Sequence, residues 1–271
     1  MHTFTAFSRR FCQLGLAALL MVLAACSTVK PPEVVIQPEI PQVPVPRKVP
    51  KLGLALGGGA ARGFAHIGVI QVLEENGIKP DMVVGTSAGS VVAAFYASGK
   101  TGAQLQWLAD SMDESQLTDW TVPFLSRGML RGEALGRYVN SQLNGLKIED
   151  MKIPLGIVAT DLNSGNEVLF QRGDTGTAVR ASSAVPAVFQ PVKIGAREYV
   201  DGGLVSPVPV RAARKMGAEL VIAVDISSPP EGNLTGGTLD ILLQTFSIMG
   251  KSINTFELRD ADVVVRPVLT G

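Results

Sequence analysis

The sequence predicts an α/β fold, a three-layer α/β/α sandwich around a mostly parallel central sheet. Three observations carry this expectation. Short apolar runs alternate with stretches of helical spacing from residue 51 onward. Two of those runs, Leu52-Gly53-Leu54-Ala55-Leu56 and Met82-Val83-Val84, open directly into glycine-rich turns that lead into helical patterns. The chain of 271 residues is 46% hydrophobic and 18% charged, enough to bury one core of about 220 residues beside an appendage.

The appendage comes first. Arg9-Arg10 followed by the apolar stretch Phe11 to Ala25 has the order of an export signal and is too short and too early for an ordinary spanning helix. It ends Leu23-Ala24-Ala25-Cys26, which resembles the lipobox of bacterial lipoproteins. That resemblance implies cleavage after residue 25, a diacylglycerol thioether on Cys26 and, with Ser27 next, sorting to the outer membrane facing the periplasm. From Ser27 to Pro50 the chain carries seven prolines, Pro31, Pro32, Pro38, Pro41, Pro44, Pro46 and Pro50. No helix survives that density, so residues 26–50 are expected to form an extended tether reaching about 70 Å at about 3 Å per residue. The domain is then expected at 51–271.

Within the domain the first strand runs into Gly57-Gly58-Gly59-Ala60-Ala61-Arg62-Gly63, and Phe64 to Asn76 has helical spacing with Gly77 as its C-cap. A dinucleotide fingerprint needs glycine where Arg62 stands, so that reading fails. An oxyanion hole built from amides around Gly58 and Gly59 fits better, and a purely structural tight turn is the alternative. The second strand enters Gly85-Thr86-Ser87-Ala88-Gly89-Ser90 and the Ala-rich run Val91 to Ala97, the order of a nucleophile elbow with its serine thrust out of the turn. Ser98-Gly99-Lys100-Thr101 imitates the end of a P-loop, but a helix precedes it, and it reads as a helix C-cap and loop.

Residues 102–144 read as mostly helical, with Trp107 and Leu108 on a core-facing side and Leu125-Ser126-Arg127-Gly128 as a connection suited to a lid. Ile153 to Thr160 and Glu167 to Phe170 form a hairpin about Asn163-Ser164-Gly165-Asn166. Glu198-Tyr199-Val200 and Glu219 to Asp225 are strands, Leu239 to Leu258 is an amphipathic helix, and Asp262 to Val265 is a last strand with no element after it to cover it.

Composition narrows the chemistry. Formal net charge is zero, which gives no basic surplus for nucleic acid. Both cysteines, Cys12 and Cys26, precede the domain, so it holds neither a disulfide nor a cysteine metal site. The two histidines are His2 and His66, and none follows Ser87. A downstream imidazole base is therefore excluded, and a carboxylate must activate the serine unless His66, which better fits a buried structural role, serves instead. Asp161, Asp201 and Asp225 compete at strand ends, and Asp201 has the strongest case because Gly202-Gly203 after it permits close approach.

Four ordered blocks now stand together: Gly57 to Gly63, Gly85 to Gly89, Ala181-Ser182-Ser183-Ala184-Val185-Pro186, and Asp201-Gly202-Gly203. In them the chain resembles the patatin-like phospholipases, serine lipid acyl hydrolases with a Ser-Asp dyad. The resemblance implies that Ser87 is the nucleophile and Asp201 the general base. It further implies that Gly57, Gly58 and Gly59, with Arg62 beside them, form the oxyanion hole, that Gly63, Gly85, Gly89, Gly202 and Gly203 are motif glycines, and that no metal or cofactor takes part. The expected substrates are phospholipid or lysophospholipid esters. A generic esterase or thioesterase, or a non-catalytic lipid-binding lipoprotein of the envelope, are the rival expectations.

Overall fold

The computed structural model describes residues 48–113, 119–120, 127–231 and 235–268. The strands are β1 (Leu52–Leu56), β2 (Met82–Thr86), β3 (Gly128–Leu130), β4 (Leu155–Asp161), β5 (Glu167–Phe170), β6 (Ala187–Phe189), β7 (Val192–Ile194), β8 (Arg197–Asp201), β9 (Leu220–Val224) and β10 (Val263–Val265). The α-helices are α1 (Ala65–Glu75), α2 (Ala88–Ala97), α3 (Gly102–Asp110), α4 (Glu133–Gln142), α5 (Thr175–Ser182), α6 (Val210–Lys215) and α7 (Thr238–Glu257).

Alternation along the central strands builds the layers. Leu54, Leu56, Val83 and Ile157 pack with Ile67, Ile70, Phe95, Leu105, Val139 and Val179, which belong to α1 through α5. Their sequence neighbours Ala55, Met82, Val84 and Val158 pack on the opposite face with Val210, Ala212 and Ala213 of α6. Strands buried on both faces, with successive side chains pointing to opposite sides, require helices on both sides. The expected α/β sandwich with a mostly parallel sheet is what forms.

Strands β10, β9, β1, β2 and β4 lie side by side and parallel. Three strands then pair with β4: β2 along Leu155–Val158, β5 along Ile157–Thr160 and β8 along Ala159–Asp161. Because β5 overlaps both of the others in register, β2 and β8 share one edge of β4. β2 runs parallel to β4 and β8 antiparallel to it, so their C-terminal ends meet head-on, Thr86 opposite Val158 and Asp201 opposite Ala159. β7 continues the sheet beyond β8.

The punctuation follows local chemistry. Gly77 at φ 69 ends α1, with Gly77 N donating to Glu74 O and Ile78 N to Leu73 O, so glycine supplies the left-handed residue of the helix stop. Thr101 caps α3 by accepting from Gln104 N, which makes Ser98 to Thr101 a joint between two helices rather than a phosphate loop. Two expectations change. Gly128–Leu130 is not helical but forms a small parallel sheet with β6. Trp107 is 68% exposed while Leu105 and Leu108 are buried, because residues three apart on a helix share a face and Trp107 turns away from theirs. Leu125 and Ser126 lie outside the described residues; Arg127 makes an ion pair with Glu198.

Candidate active site

Ser87 stands between β2 and α2 at φ 51, ψ −124, a conformation that costs a non-glycine residue of order 1–3 kcal/mol and persists only when its surroundings hold it. Its amide donates to Ser182 Oγ at 2.9 Å, and Ser182 Oγ in turn donates to Val158 O at 2.5 Å. Its carbonyl accepts from Ser90 N at 2.8 Å and Ser90 Oγ at 2.6 Å. The turn closes against the neighbouring strand so tightly that a Cβ on Gly89 would sit 2.2 Å from Leu56 O. Gly85 ends up under Gly89 and Ser90, and Gly63 against Ala88. Ser87 is the N-cap of α2, where the helix dipole favours developing negative charge.

Asp201 reaches this turn because β8 ends where β2 ends. Its backbone is held at both poles, Asp201 N donating to Ala184 O at 3.0 Å and Thr160 Oγ1 to Asp201 O at 2.8 Å. Gly202 then passes so near the sheet that a Cβ would lie 2.3 Å from Val158 O. Gly203 N donates to Asp201 Oδ1 at 2.6 Å, while the buried Oδ2 has no hydrogen-bond partner of full geometry among the described residues. Burial pushes the Asp201 carboxyl up to about 6; the Gly203 amide and the nearby Ser87 hydroxyl hold it from going higher. A carboxylate ionised above pH 6, with one unpartnered oxygen beside a serine hydroxyl, is placed to accept that hydroxyl's proton. Asp161 and Asp225 are engaged elsewhere: Asp161 accepts from Asn163 N, Ser164 N and Arg197 Nη1, and Asp225 from Ser227 and Arg266.

The glycine loop corrects its expected role. Gly57 N donates to Val224 O at 3.0 Å and Gly58 N to Pro207 O at 2.9 Å, so neither amide is left for an oxyanion. The cause is the sheet itself, since the loop leaves β1 still bonded to the last residue of β9 and to the segment before α6. Gly57 O accepts from His66 Nε2 at 2.8 Å; burial drives the imidazole down to about 4, so it is neutral and its Nε2 carries the proton. Arg62 N and Nε both bond Gly59 O, at 3.1 and 3.3 Å, and so fix the next peptide, while Arg62 also lines the pocket over Ser87. The Gly59 and Ala60 amides have no acceptor among the described hydrogen bonds, and Ala60 sits at φ 50 to hold the loop there.

A pocket of about 530 Å³ opens over Ser87 and Asp201. Gly58, Gly59 and Ala60 form part of its wall, and Val185, Pro186, Leu204, Leu243 and Phe246 supply apolar surface. Ser182 and the α7 residues are what residue reasoning did not single out. Ser182 had a signal in its block beside Ser183, but nothing local marks which of two adjacent serines faces a partner 95 residues away. No group of three or more potential metal-ligating side chains occurs among the described residues.

A strained serine at a strand-to-helix turn, a buried aspartate from an antiparallel strand and a glycine loop between them define a serine-carboxylate elbow on an α/β sheet. The chain belongs to the patatin-like phospholipase family, whose model matches residues 54–214. An uncharacterized NTE family protein of Mycobacterium tuberculosis is 39% identical over 184 residues, covering 68% of this chain and 51% of that one. Patatin-like phospholipase domain-containing protein 6 of Homo sapiens is 35% identical over 193 residues, covering 68% of this chain and 14% of that one. The chain thus spans about half the length of the mycobacterial relative and less of the human one. Among solved structures, VipD from Legionella pneumophila superposes with a TM-score of 0.53 at 16% identity, over 72% of this chain and 52% of that one, a likeness of fold.

Proposed function

We propose that this chain hydrolyses carboxylic acyl esters of phospholipids or lysophospholipids through an acyl-Ser87 intermediate, with Asp201 as the general base. The observation that carries the proposal is the meeting of Ser87, held at φ 51, with the buried Asp201 at one edge of β4. As Ser87 Oγ attacks the ester carbonyl carbon, its proton passes to Asp201. The oxyanion faces the Gly59 and Ala60 amides and the α2 N-terminus. Collapse breaks the ester bond, and the leaving alcohol takes the proton from Asp201. Water, deprotonated by Asp201, then attacks the acyl-serine, and Asp201 returns that proton to Ser87 Oγ as the fatty acid leaves. The acyl chain has the apolar wall of Leu204, Leu243 and Phe246 to lie against. No metal or cofactor is needed for these steps.

The same proposal places the enzyme on a membrane through lipidated Cys26, exported and facing the periplasm, where tethering raises the local concentration of lipid ester. Among the described residues no helix is long and apolar enough to cross a membrane. The test is the intact mass of the full chain after treatment with a fluorophosphonate probe, beside Ser87→Ala and Asp201→Asn. One adduct, absent in Ser87→Ala and slowed at least a hundredfold in Asp201→Asn, is expected. Full labelling of a folded Ser87→Ala protein would overturn the mechanism.

A further inference from the structure

Next to the serine pocket lies a larger cleft of about 1320 Å³, built where the chain leaves β9 and β10 and bounded by the C-terminal half of α7. Its lining is unbalanced in charge. Arg62, Lys251, Arg259 and Arg266 all contribute, against a single carboxylate, Asp225. That carboxylate is already engaged, its Oδ2 by Arg266 Nε at 3.1 Å and its Oδ1 by Ser227 N at 3.1 Å and Ser227 Oγ at 2.5 Å. Lys251 meets Glu231 at 2.8 Å, a pair exposed on both sides and so weakly held. Arg259 lies over the Phe256 ring at 5.1 Å and has no carboxylate partner among the described residues. Among the described residues Arg62 bonds only the Gly59 carbonyl, and burial depresses its guanidinium while Asp225 partly restores it.

A second observation is independent of charge. Asn254 is 4% exposed, and neither its Nδ2 nor its Oδ1 has a hydrogen-bond partner among the described residues. A buried primary amide left in that state is costly and calls for a partner. Asn254 lines both the cleft and the pocket over Ser87, as do Arg62, Ser227, Ser228 and Lys251, so the two cavities share a wall of polar and cationic groups.

We infer that this cleft binds the phosphate of the substrate's head group, held by Arg259, Arg266 and Lys251 with Asn254 at the boundary, and so selects anionic glycerophospholipids. The inference rests on the acyl-hydrolase reading for its substrate but on separate residues for its site. A phosphate offers several acceptor oxygens and matches the planar fork of arginine. In a glycerophospholipid the phosphate and the scissile ester sit on one glycerol backbone, and here the cleft and the serine pocket share one wall. A free phosphate ion shares this chemistry, and the test separates the two sources.

Binding is measured by titration calorimetry on the full chain carrying Ser87→Ala in non-ionic detergent, with dihexanoyl phosphatidylglycerol and with inorganic phosphate. Binding of the lipid, weakened at least tenfold by added Arg259→Glu, is the expected result. Binding of phosphate without the lipid would overturn the head-group assignment, and lipid binding untouched by Arg259→Glu would overturn the cleft. In the chain with Ser87 intact, Arg259→Glu should leave hydrolysis of p-nitrophenyl butyrate within twofold and raise KM for the lipid about tenfold. Loss of both activities in equal measure would sink the proposal. If wild type hydrolyses neither ester, the acyl-hydrolase reading fails, while the Ser87→Ala titration still decides the cleft.

Discussion

Asp201 sets the pH behaviour at the scale of the residue. With its carboxyl pushed up to about 6, the base we propose is lost below that value, so kcat/KM should fall about tenfold per pH unit under pH 6 and be flat above it. A limb falling near pH 4 instead would show that burial is not felt by the working base. The same shift acts on stability. In the unfolded chain the carboxyl ionises near 3.8, so below that value both states are protonated and nothing is lost. Between about 4 and 6 the unfolded state sheds its proton first, and stability falls by roughly 3 kcal/mol by the time the folded carboxyl is ionised. Asp201→Asn should therefore abolish activity yet raise Tm by several degrees at pH 8, with the difference vanishing at pH 4. Equal melting curves at pH 8 would refute it. That Ser87 and Asp201 would meet was legible from the sequence because glycines and strand ends announce them. The expected amides of Gly57 and Gly58 were not usable, because their acceptors, Val224 O and Pro207 O, come from segments that only the folded sheet brings near.

At the scale of the element, α7 shows where periodicity stops informing. Its extent and apolar positions are readable as a pattern, yet Met249 and Phe256 are exposed while the polar Asn254 and Glu257 are buried. That Glu257 faces inward depends on Ser206 and Arg211, and no local signal reports them. Ser206 Oγ donates to Glu257 Oε1 at 2.6 Å and Arg211 N to the same oxygen at 3.4 Å. Burial nevertheless pushes the Glu257 carboxyl up to about 7, with Glu167 adding to the rise and Arg211 opposing it. Its folded value exceeds its unfolded one, so stability present below about pH 4.5 is lost as pH rises toward 7, by about 3 kcal/mol at most. Glu257→Gln should remove that part of the slope, measured as urea unfolding at pH 5 and pH 8 against wild type. An unchanged slope would mean that the end of α7 is hydrated. The three-residue strands β3 and β6 escaped the pattern for a simpler reason, being too short to show any period.

The whole molecule joins an expected tether to a sheet whose parallel core, β9-β1-β2-β4, is covered on both faces. The alternating pattern made that core legible, whereas the reversal of β8 against β4 was not, since strand direction is set by connection and not by composition. Three residue pairs hold β8 to β4 and three hold β7 to β8. The β7-β8 hairpin thus ends the sheet on short ladders, anchored by the buried Val192, Tyr199 and Val200, and we predict that it detaches before the rest. Detachment carries Asp201 away from Ser87 while the elbow, fastened to the parallel core and to Ser182, stays folded. Enzymatic inactivation should then precede global unfolding: the urea midpoint of esterase activity should fall below that of circular dichroism, and the lost activity should return at once on dilution. Coincident midpoints would show the hairpin to be part of the cooperative core. Such a protein is silent whenever its sheet is incomplete, so a chain not yet folded carries the nucleophile without the means to use it.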